Sequence, residues 1–329
     1  MSKKQITLAV SAIAVILIIA TCLTLAVGRR GVPSDSGKVQ GSKGAEDPFC
    51  LLVLGKDRVS GLTDVMMLVS FDIKDGRICV MQIPRDTYAE YGELKHSKLN
   101  SAMAVLGGER ALCDYLSSAL GVPVDGYLSM ELEGFRNVVD AVGGVEIELD
   151  STLYYNDPEQ DLQIYLKKGR QLLDGEKAEM LVRYRSGYLR GDLDRLDMQK
   201  KFLAALFARL KDTVNSSNAY ALAEAVLPHV TTDVSLPLAV ALGLEALRVD
   251  SSSLVMLTLP GEDIVSPKTG ASYYVMSREP AKRIIENFFA KEETNIDPQR
   301  LFEHPEYDGF RAIYARDDEP EVTYADGLK

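Results

Sequence analysis

The chain has 329 residues, of which 46% are hydrophobic and 26% are charged, so it can bury a large core within one large domain or two ordinary ones. Its 37 basic and 48 acidic residues give a net charge of −11, which argues against a protein that coats nucleic acid, because the phosphate backbone selects for a basic surface. The four cysteines have no CxxC spacing, which excludes a zinc ribbon and a disulfide scaffold, and three widely separated histidines leave little room for a His-based metal cluster.

The N-terminal region predicts a membrane anchor. Residues 6–27 carry no charge, and as a helix rising about 1.5 Å per residue they span about 33 Å, enough for a hydrocarbon core of about 30 Å. A cleaved secretory signal would have a shorter apolar run and an A-x-A-like cleavage site, which is not evident here. We therefore expect a cytoplasmic tail at 1–5, a transmembrane helix at 6–27, a flexible tether at 28–47, and an extracytoplasmic remainder held at the cell membrane.

The segment after the tether predicts strands mixed with helices. Apolar runs predict buried strands at 50–54, 65–71 and 78–83, and the Asp75-Gly76 pair predicts a hairpin between the last two. Further on, the pattern predicts helices at 108–120, 132–142, 174–182, 193–210 and 280–290, and strands at 145–149 and 254–259. This order is typical of an α/β fold, a layered α-β-α domain with a mixed, partly antiparallel central sheet. We place its core at 48–212, a part completing the same domain at 213–290, and an acidic tail at 291–329.

The predicted strand order brings charged residues to one end of the sheet. Asp57 follows the first strand and Asp64 immediately precedes the second, while the hairpin returns the third strand so that Arg85 comes back to the same edge. Open α/β sheets usually bind ligands at such an edge. Carboxylates without His or Cys favour a hard ion, Mg²⁺ first. The alternative is that both acids cap turns or pair with Arg58 and Arg85.

A second basic cluster lies more than a hundred residues downstream. Arg183 and Arg185 precede a predicted helix on which Arg195 and Gln199, spaced i and i+4, share one face near the start. A helix N-terminus and arginine forks both suit phosphate oxygens. The alternative is that these arginines form surface salt bridges with the acids of the same segment.

Negative findings narrow the chemistry. The chain has no G-x-S-x-G elbow, no H-E-x-x-H and no G-x-G-x-x-G after a strand. Cys50 and Cys79 lie in predicted core strands and are expected to be buried, and a disulfide between them is left open.

An ordered set of motifs then makes a resemblance specific. The motifs are LLVLGKD (51–57), TDVMML (63–68), IPRDTY (83–88), KLNSA (98–102), VVDAVGGV (138–145), LLDG (172–175), VRYR (182–185) and GDLDR (191–195) with Gln199. Together they resemble the LytR-CpsA-Psr family, membrane-anchored enzymes that attach anionic glycopolymers to the bacterial cell wall. The resemblance covers roughly residues 48–212.

The resemblance implies a phosphotransferase that moves a teichoic acid, capsule or other glycan from an undecaprenyl-pyrophosphate carrier, held in an apolar tunnel, to a peptidoglycan sugar hydroxyl. It implies Mg²⁺ as cofactor, while the acidic charge balance already predicts no nucleic-acid partner. The implied metal ligands are Asp57 and Asp64; the implied catalytic residues are Arg85, Arg183, Arg185 and Arg195; the implied substrate-binding residues are Lys98, Asp192 and Gln199. To these we add Arg58 as a substrate-binding residue and Asp86 as a candidate base. Asp64 is a second candidate for the base.

Two positions depart from the family pattern, because Leu62 and Met198 stand where many members have arginine, which reduces the positive charge. Two alternatives stay beside the transferase. One is a polyprenyl-pyrophosphate hydrolase that uses the same site with water as acceptor. The other is a non-catalytic envelope-binding or regulatory protein of the same fold.

Overall fold

The computed structural model describes residues 48–56, 62–92, 94–158, 162–184, 192–213, 227–266 and 270–290, and the backbone of three short strands beyond residue 305. The predicted tail, membrane helix and tether at 1–47 lie outside the described residues, as do Asp57, Arg58 and Arg185. In the part of the chain that is described, no helix is long and apolar enough to cross a membrane.

Strands and helices are mixed along the chain. The strands are β1 Phe49–Lys56, β2 Thr63–Asp72, β3 Arg77–Ile83, β4 Tyr88–Tyr91, β5 Leu94–Lys98, β6 Gly126–Glu131, β7 Val145–Leu149, β8 Leu153–Asp157, β9 Leu162–Leu166, β10 Gly169–Leu173, β11 Val230–Thr232, β12 Leu254–Thr258, β13 Gly261–Val265, β14 Ser272–Met276, β15 Glu306–Tyr307, β16 Phe310–Arg311 and β17 Thr323–Tyr324. The helices are α1 Ala102–Leu106, α2 Glu109–Leu120, α3 Leu132–Ala141, α4 Gly175–Arg183, α5 Asp192–Thr213, α6 Leu236–Arg248 and α7 Arg278–Phe288.

The central sheet is mixed, as predicted. Among the described strands its order is β11-β6-β1-β2-β3-β12-β17, with β1/β6 and β3/β12 parallel and the other neighbours antiparallel. The predicted hairpin joins β2 to β3, with Asp72 opposite Arg77 and Gly76 in the left-handed region at φ +59°. The hairpin therefore returns the end of β3 to the edge at which β2 begins.

Side chains of the central strands alternate between two cores, because successive residues of a strand point to opposite faces. Leu51 and Val53 of β1 join one core with Phe135 of α3 and Phe202 of α5, whose rings meet edge to face at 5.9 Å. Leu52 of β1 joins the other core, beneath α2 and α7. Helices thus cover both faces of the sheet, which is the predicted layered arrangement.

The strand order excludes the disulfide that the sequence left open. Cys50 on β1 and Cys79 on β3 both pair with Ser70 of β2, so a whole strand lies between them. Two strand spacings separate their Cα atoms by about 9 to 10 Å, which is beyond the reach of a disulfide. Both are buried free thiols, and burial raises the pKa of the Cys79 thiol.

Candidate functional site

Asp64 and Arg85 meet at the edge of the sheet, as the hairpin predicts. The Nη1 atom of Arg85 donates to Oδ1 of Asp64 over 2.8 Å, and their side chains are 12% and 1% exposed. The register explains the contact, because Met66 of β2 lies opposite Ile83 of β3, so the residues just outside that pair are neighbours. For Asp64, the alternative prediction of an ion pair with Arg85 is therefore confirmed.

The pair extends into a line of alternating charges. The Asp86 carboxylate accepts from Nζ of Lys98 over 2.9 Å, and its other oxygen lies 4.0 Å from Nε of Arg85. Acid and base alternate from Asp64 through Arg85 and Asp86 to Lys98. The structure thus brings together four of the predicted site residues.

The loop that carries Arg85 and Asp86 is fixed by its main chain. The amide of Asn100 donates to the carbonyl of Arg85 over 3.1 Å, and the amide of Tyr274 donates to the carbonyl of Asp86 over 2.9 Å. Thr87 and Tyr274 also form a parallel bridge. The hairpin of β13 and β14 therefore holds this loop, a role that the sequence did not predict.

Helix α4 carries Arg183 at its C-terminal end. The helix begins after Asp174, whose carboxylate accepts the amide of Lys177 over 2.8 Å, an N-cap that fits the predicted helix start. Nη1 of Arg183 donates to Oε1 of Glu179 over 2.8 Å. The predicted partners of Arg183 were acids further along the chain, so the sequence analysis missed Glu179.

Helix α5 presents Arg195 and Gln199 on one buried face, as their i, i+4 spacing predicts. They are 2% and 1% exposed, so Arg195 is buried and does not lie on the surface, where the alternative prediction placed it. Asp192 begins the same helix, at the predicted helix start.

Gln199 links the two halves of the predicted site. Its Nε2 atom donates to the carbonyl of Val182 over 3.2 Å, and its Oε1 atom accepts from Nε2 of Gln82 over 3.5 Å. Gln82 lies three residues before Arg85, and Val182 immediately precedes Arg183. The hydrogen bonds therefore tie the end of β3 and the end of α4 to a single side chain of α5.

Gln82 is a site residue that sequence reasoning missed. It is 2% exposed, and its Oε1 atom has no hydrogen-bond partner among the described residues. The sequence did contain a signal for Gln82, which is the one amide side chain within the apolar run 78–83. A polar group buried in such a strand needs a hydrogen-bond partner, so it points to a contact with another segment.

Comparison with known proteins now adds to this geometry. Residues 28–289 match the model of the LytR_cpsA_psr family. The chain belongs to this family. The resemblance drawn from the sequence motifs is thereby confirmed.

The relatives that this chain resembles in sequence are described as transferases. The chain is 28% identical over 236 residues to the polyisoprenyl-teichoic acid–peptidoglycan teichoic acid transferase TagV of Bacillus subtilis, covering 69% of this chain and 60% of TagV. It is 31% identical over 213 residues to a TagU transferase of the same description from Halalkalibacterium halodurans, covering 63% of this chain and 68% of TagU. The match thus spans less than two thirds of TagV.

The fold agrees with a solved structure of the family. The crystal structure of B. subtilis TagV superposes with a TM-score of 0.62 at 25% identity, covering 74% of this chain and 96% of TagV as crystallised.

The donor chemistry at the sheet edge suits Mg²⁺. This ion takes oxygen ligands and keeps several waters, so it needs only one or two carboxylates, with phosphate oxygens completing its shell. Asp64 supplies one buried carboxylate of this kind. No group of three His, Cys, Asp or Glu side chains that could hold a metal occurs in the described part of the chain. Asp64 thus fits as one ligand, and the other predicted ligand, Asp57, lies outside the described residues.

Proposed function

We propose that this LytR_cpsA_psr protein is an extracytoplasmic transferase that moves an anionic glycopolymer from a polyprenyl-pyrophosphate carrier to a sugar hydroxyl of peptidoglycan. The observation that carries the proposal is the Gln82–Gln199–Val182 hydrogen-bond chain, which gathers the segments bearing Arg85, Arg183 and Arg195. The printed descriptions of TagV and TagU support teichoic acid as the first polymer to test.

In this proposal the arginines bind the pyrophosphate of the donor. A guanidinium has five N–H donors in a planar fork, which matches phosphate oxygens two at a time. Arg85 and Arg183 are mostly buried, at 12% and 14% side-chain exposure, so charge interactions there are less screened than in water. Lys98, Gln199 and the proposed Arg58, Arg185 and Asp192 would complete the substrate contacts.

The proposed reaction is a phosphoryl transfer. A peptidoglycan hydroxyl attacks the phosphorus next to the glycopolymer, a new P–O bond forms, and the bond to the polyprenyl phosphate breaks with its electron pair leaving on that phosphate. Negative charge grows on the leaving phosphate, and fixed cations stabilise it by an amount on the order of 10²-fold in rate per group. Asp86 is our candidate to accept the hydroxyl proton. When bound by Asp64 and Asp57, Mg²⁺ would neutralise phosphate charge.

The N-terminal segment gives this site its proposed location. We propose that residues 6–27 cross the membrane once and that residues 28–47 tether the domain outside the cell, close to the bilayer that holds the lipid-linked donor. The arrangement would present the site to both the lipid carrier and the wall.

To test the proposal, the purified full-length protein is incubated in detergent with a lipid-linked teichoic acid pyrophosphate, Mg²⁺ and peptidoglycan oligomers, and the products are identified. Covalent glycan on the oligomers supports the proposal. Release of free phosphorylated glycan would show instead that the protein is a hydrolase. An unchanged donor would indicate a non-catalytic role.

A matched pair of variants makes the assay specific for the site. Arg183→Met should reduce transfer on the order of 10²-fold, because it removes one of the proposed phosphate ligands. Arg248→Met makes the same change at an exposed ion pair of α6 and should leave transfer unchanged. Equal rates for the two variants would remove Arg183 from the mechanism.

A further inference from the structure

A buried acid lies between two arginines behind the proposed site. Glu179 sits one turn before Arg183 on α4, and its side chain is only 6% exposed. One carboxylate oxygen accepts from Arg183, and the other accepts from Nε of Arg136, which lies on α3. Burying a carboxylate is costly unless it is paired and hydrogen-bonded, and here two cations meet that requirement.

The two helices that supply these groups are held close together. A Cβ atom on Gly175, at the start of α4, would lie 2.5 Å from the carbonyl oxygen of Arg136, so only glycine permits this approach. The amide of Gly175 also donates to Oδ1 of Asp140 on α3 over 2.7 Å. These contacts hold the main chain of α3 close to α4. Arg136 on α3 is therefore within hydrogen-bonding distance of Glu179 on α4.

We propose that Glu179 is a positioning residue that fixes the Arg183 guanidinium for the donor pyrophosphate, and that Arg136 holds Glu179 in place. The inference rests on the proposed function, because it assigns Arg183 to the pyrophosphate. Two guanidinium groups share one carboxylate, so the group of three keeps a net positive charge towards an anionic ligand. Removing the carboxylate would leave Arg183 free to change rotamer and would set two like charges near each other.

The first test compares Glu179→Gln with the wild type. The substitution keeps the shape of the side chain and removes its charge. We expect the affinity for inorganic pyrophosphate in the presence of Mg²⁺, measured by calorimetry, and kcat/KM for the lipid-linked donor to fall about tenfold or more, because small displacements of a binding group have effects of up to about 10²-fold. KM for peptidoglycan should not change.

Asp233→Asn is the matched control. Asp233 also joins two elements through an arginine, Arg110, and accepts the amide of Tyr127, but among the described residues it has no contact with the proposed site. This variant should bind pyrophosphate like the wild type. A Glu179→Gln protein that behaves like Asp233→Asn would overturn the inference.

A double-mutant cycle separates positioning from a merely structural role. If Glu179 acts through Arg183, adding Glu179→Gln to Arg183→Met should cause no further loss of pyrophosphate affinity. Losses that multiply would show that Glu179 acts independently of Arg183, and the proposal would fail.

A further variant covers the case in which Glu179→Gln does not fold. Arg136→Met/Glu179→Met removes the second cation together with the acid, so no like charge is left beside Arg183, and this variant is expected to be more stable than Glu179→Gln and still to lose pyrophosphate affinity. Retained affinity in that variant would contradict the inference. If the wild type itself neither binds pyrophosphate nor transfers glycan, the proposed function fails rather than the role of Glu179.

Discussion

The Asp64–Arg85 pair is the most direct place to test the architecture of the site. Arg85→Met removes the guanidinium and leaves the Asp64 carboxylate, 1% exposed, without the 2.8 Å contact that it makes now. Breaking a buried ion pair on one side costs about 3 to 5 kcal/mol, because the carboxylate stays buried and loses the cation at 2.8 Å. Asp86 should contribute little to this loss, because Lys98 still pairs with it at 2.9 Å.

The expected change is easy to measure. In a domain of this size, 1 kcal/mol corresponds to a shift of about 2 to 4 °C in Tm, so Arg85→Met should lower Tm by roughly 6 to 20 °C. Urea unfolding at neutral pH gives the free energy itself. Asp64→Leu/Arg85→Met, which removes both charges, should recover most of the loss.

Arg248→Met provides the control for this experiment. Arg248 is 69% exposed and pairs with Glu245, so the same substitution there should cost less than about 1 kcal/mol. The reasoning is refuted if Arg85→Met costs no more than Arg248→Met, or if the double variant is no more stable than Arg85→Met.

Three further predictions concern the supports of the site. Asp174→Ala should destabilise the protein by about 1 kcal/mol through loss of an N-cap. Hydrogen bonds from Lys177 lower the pKa of Asp174 below its ordinary 3.8, so this stabilisation is present above pH 3.8 and is lost as the pH falls through the folded pKa. Urea unfolding at neutral and at strongly acidic pH should therefore show that the difference in stability between variant and wild type shrinks in acid. Gly175→Ala should cost about 1 to 3 kcal/mol in the same assay, because its methyl group would meet the main chain of α3, and a wild-type free energy would contradict that close approach. Burial raises the pKa of the Cys79 thiol and raises that of Cys113 to about 12, so iodoacetamide should label neither until denaturant is added, as peptide mass spectrometry can check.

The sheet edge was predictable because its signals are local. An Asp-Gly turn between two apolar runs fixes a hairpin, and the hairpin fixes which ends of the strands meet. The pairing of Asp64 with Arg85 follows from this register without any knowledge of distant contacts. The helix that ends at Gly121 in the left-handed conformation was predictable for the same reason.

The contacts between distant segments were not predictable in this way. Hydrophobic periodicity shows that α4 and α5 each bury a face, but it does not show which strand lies beneath them. The position of Gln199 between Gln82 and Val182 depends on tertiary packing. Glu179 was missed because an acid four residues before an arginine is typical of an exposed helix pair, and only the packing of α3 shows that it is buried.

The structure also accounts for one departure from the family pattern. Met198, which stands where many members have arginine, is partly buried and packs against the core shared by α3, α4 and α5. Its neighbour Gln199 makes the polar contacts with Gln82 and Val182. A methionine fills such a space without needing a partner for a charge.

The pairing of charges leads to a last prediction, about the effect of Mg²⁺ on ligand binding. At the sheet edge, two cations proposed to meet the donor lie against acids, Arg85 against Asp64 and Lys98 against Asp86. A pyrophosphate brought to these cations also comes close to the carboxylates, and like charges at such distances oppose binding. A divalent cation between phosphate and Asp64 would remove the repulsion, so we expect inorganic pyrophosphate to bind at least about tenfold more weakly when EDTA replaces excess Mg²⁺. Asp64→Asn, which removes the charge, should reduce this dependence. Equal affinity with Mg²⁺ and with EDTA in the wild type would show that the paired cations alone overcome the acids, and that no metal is needed at this edge of the sheet.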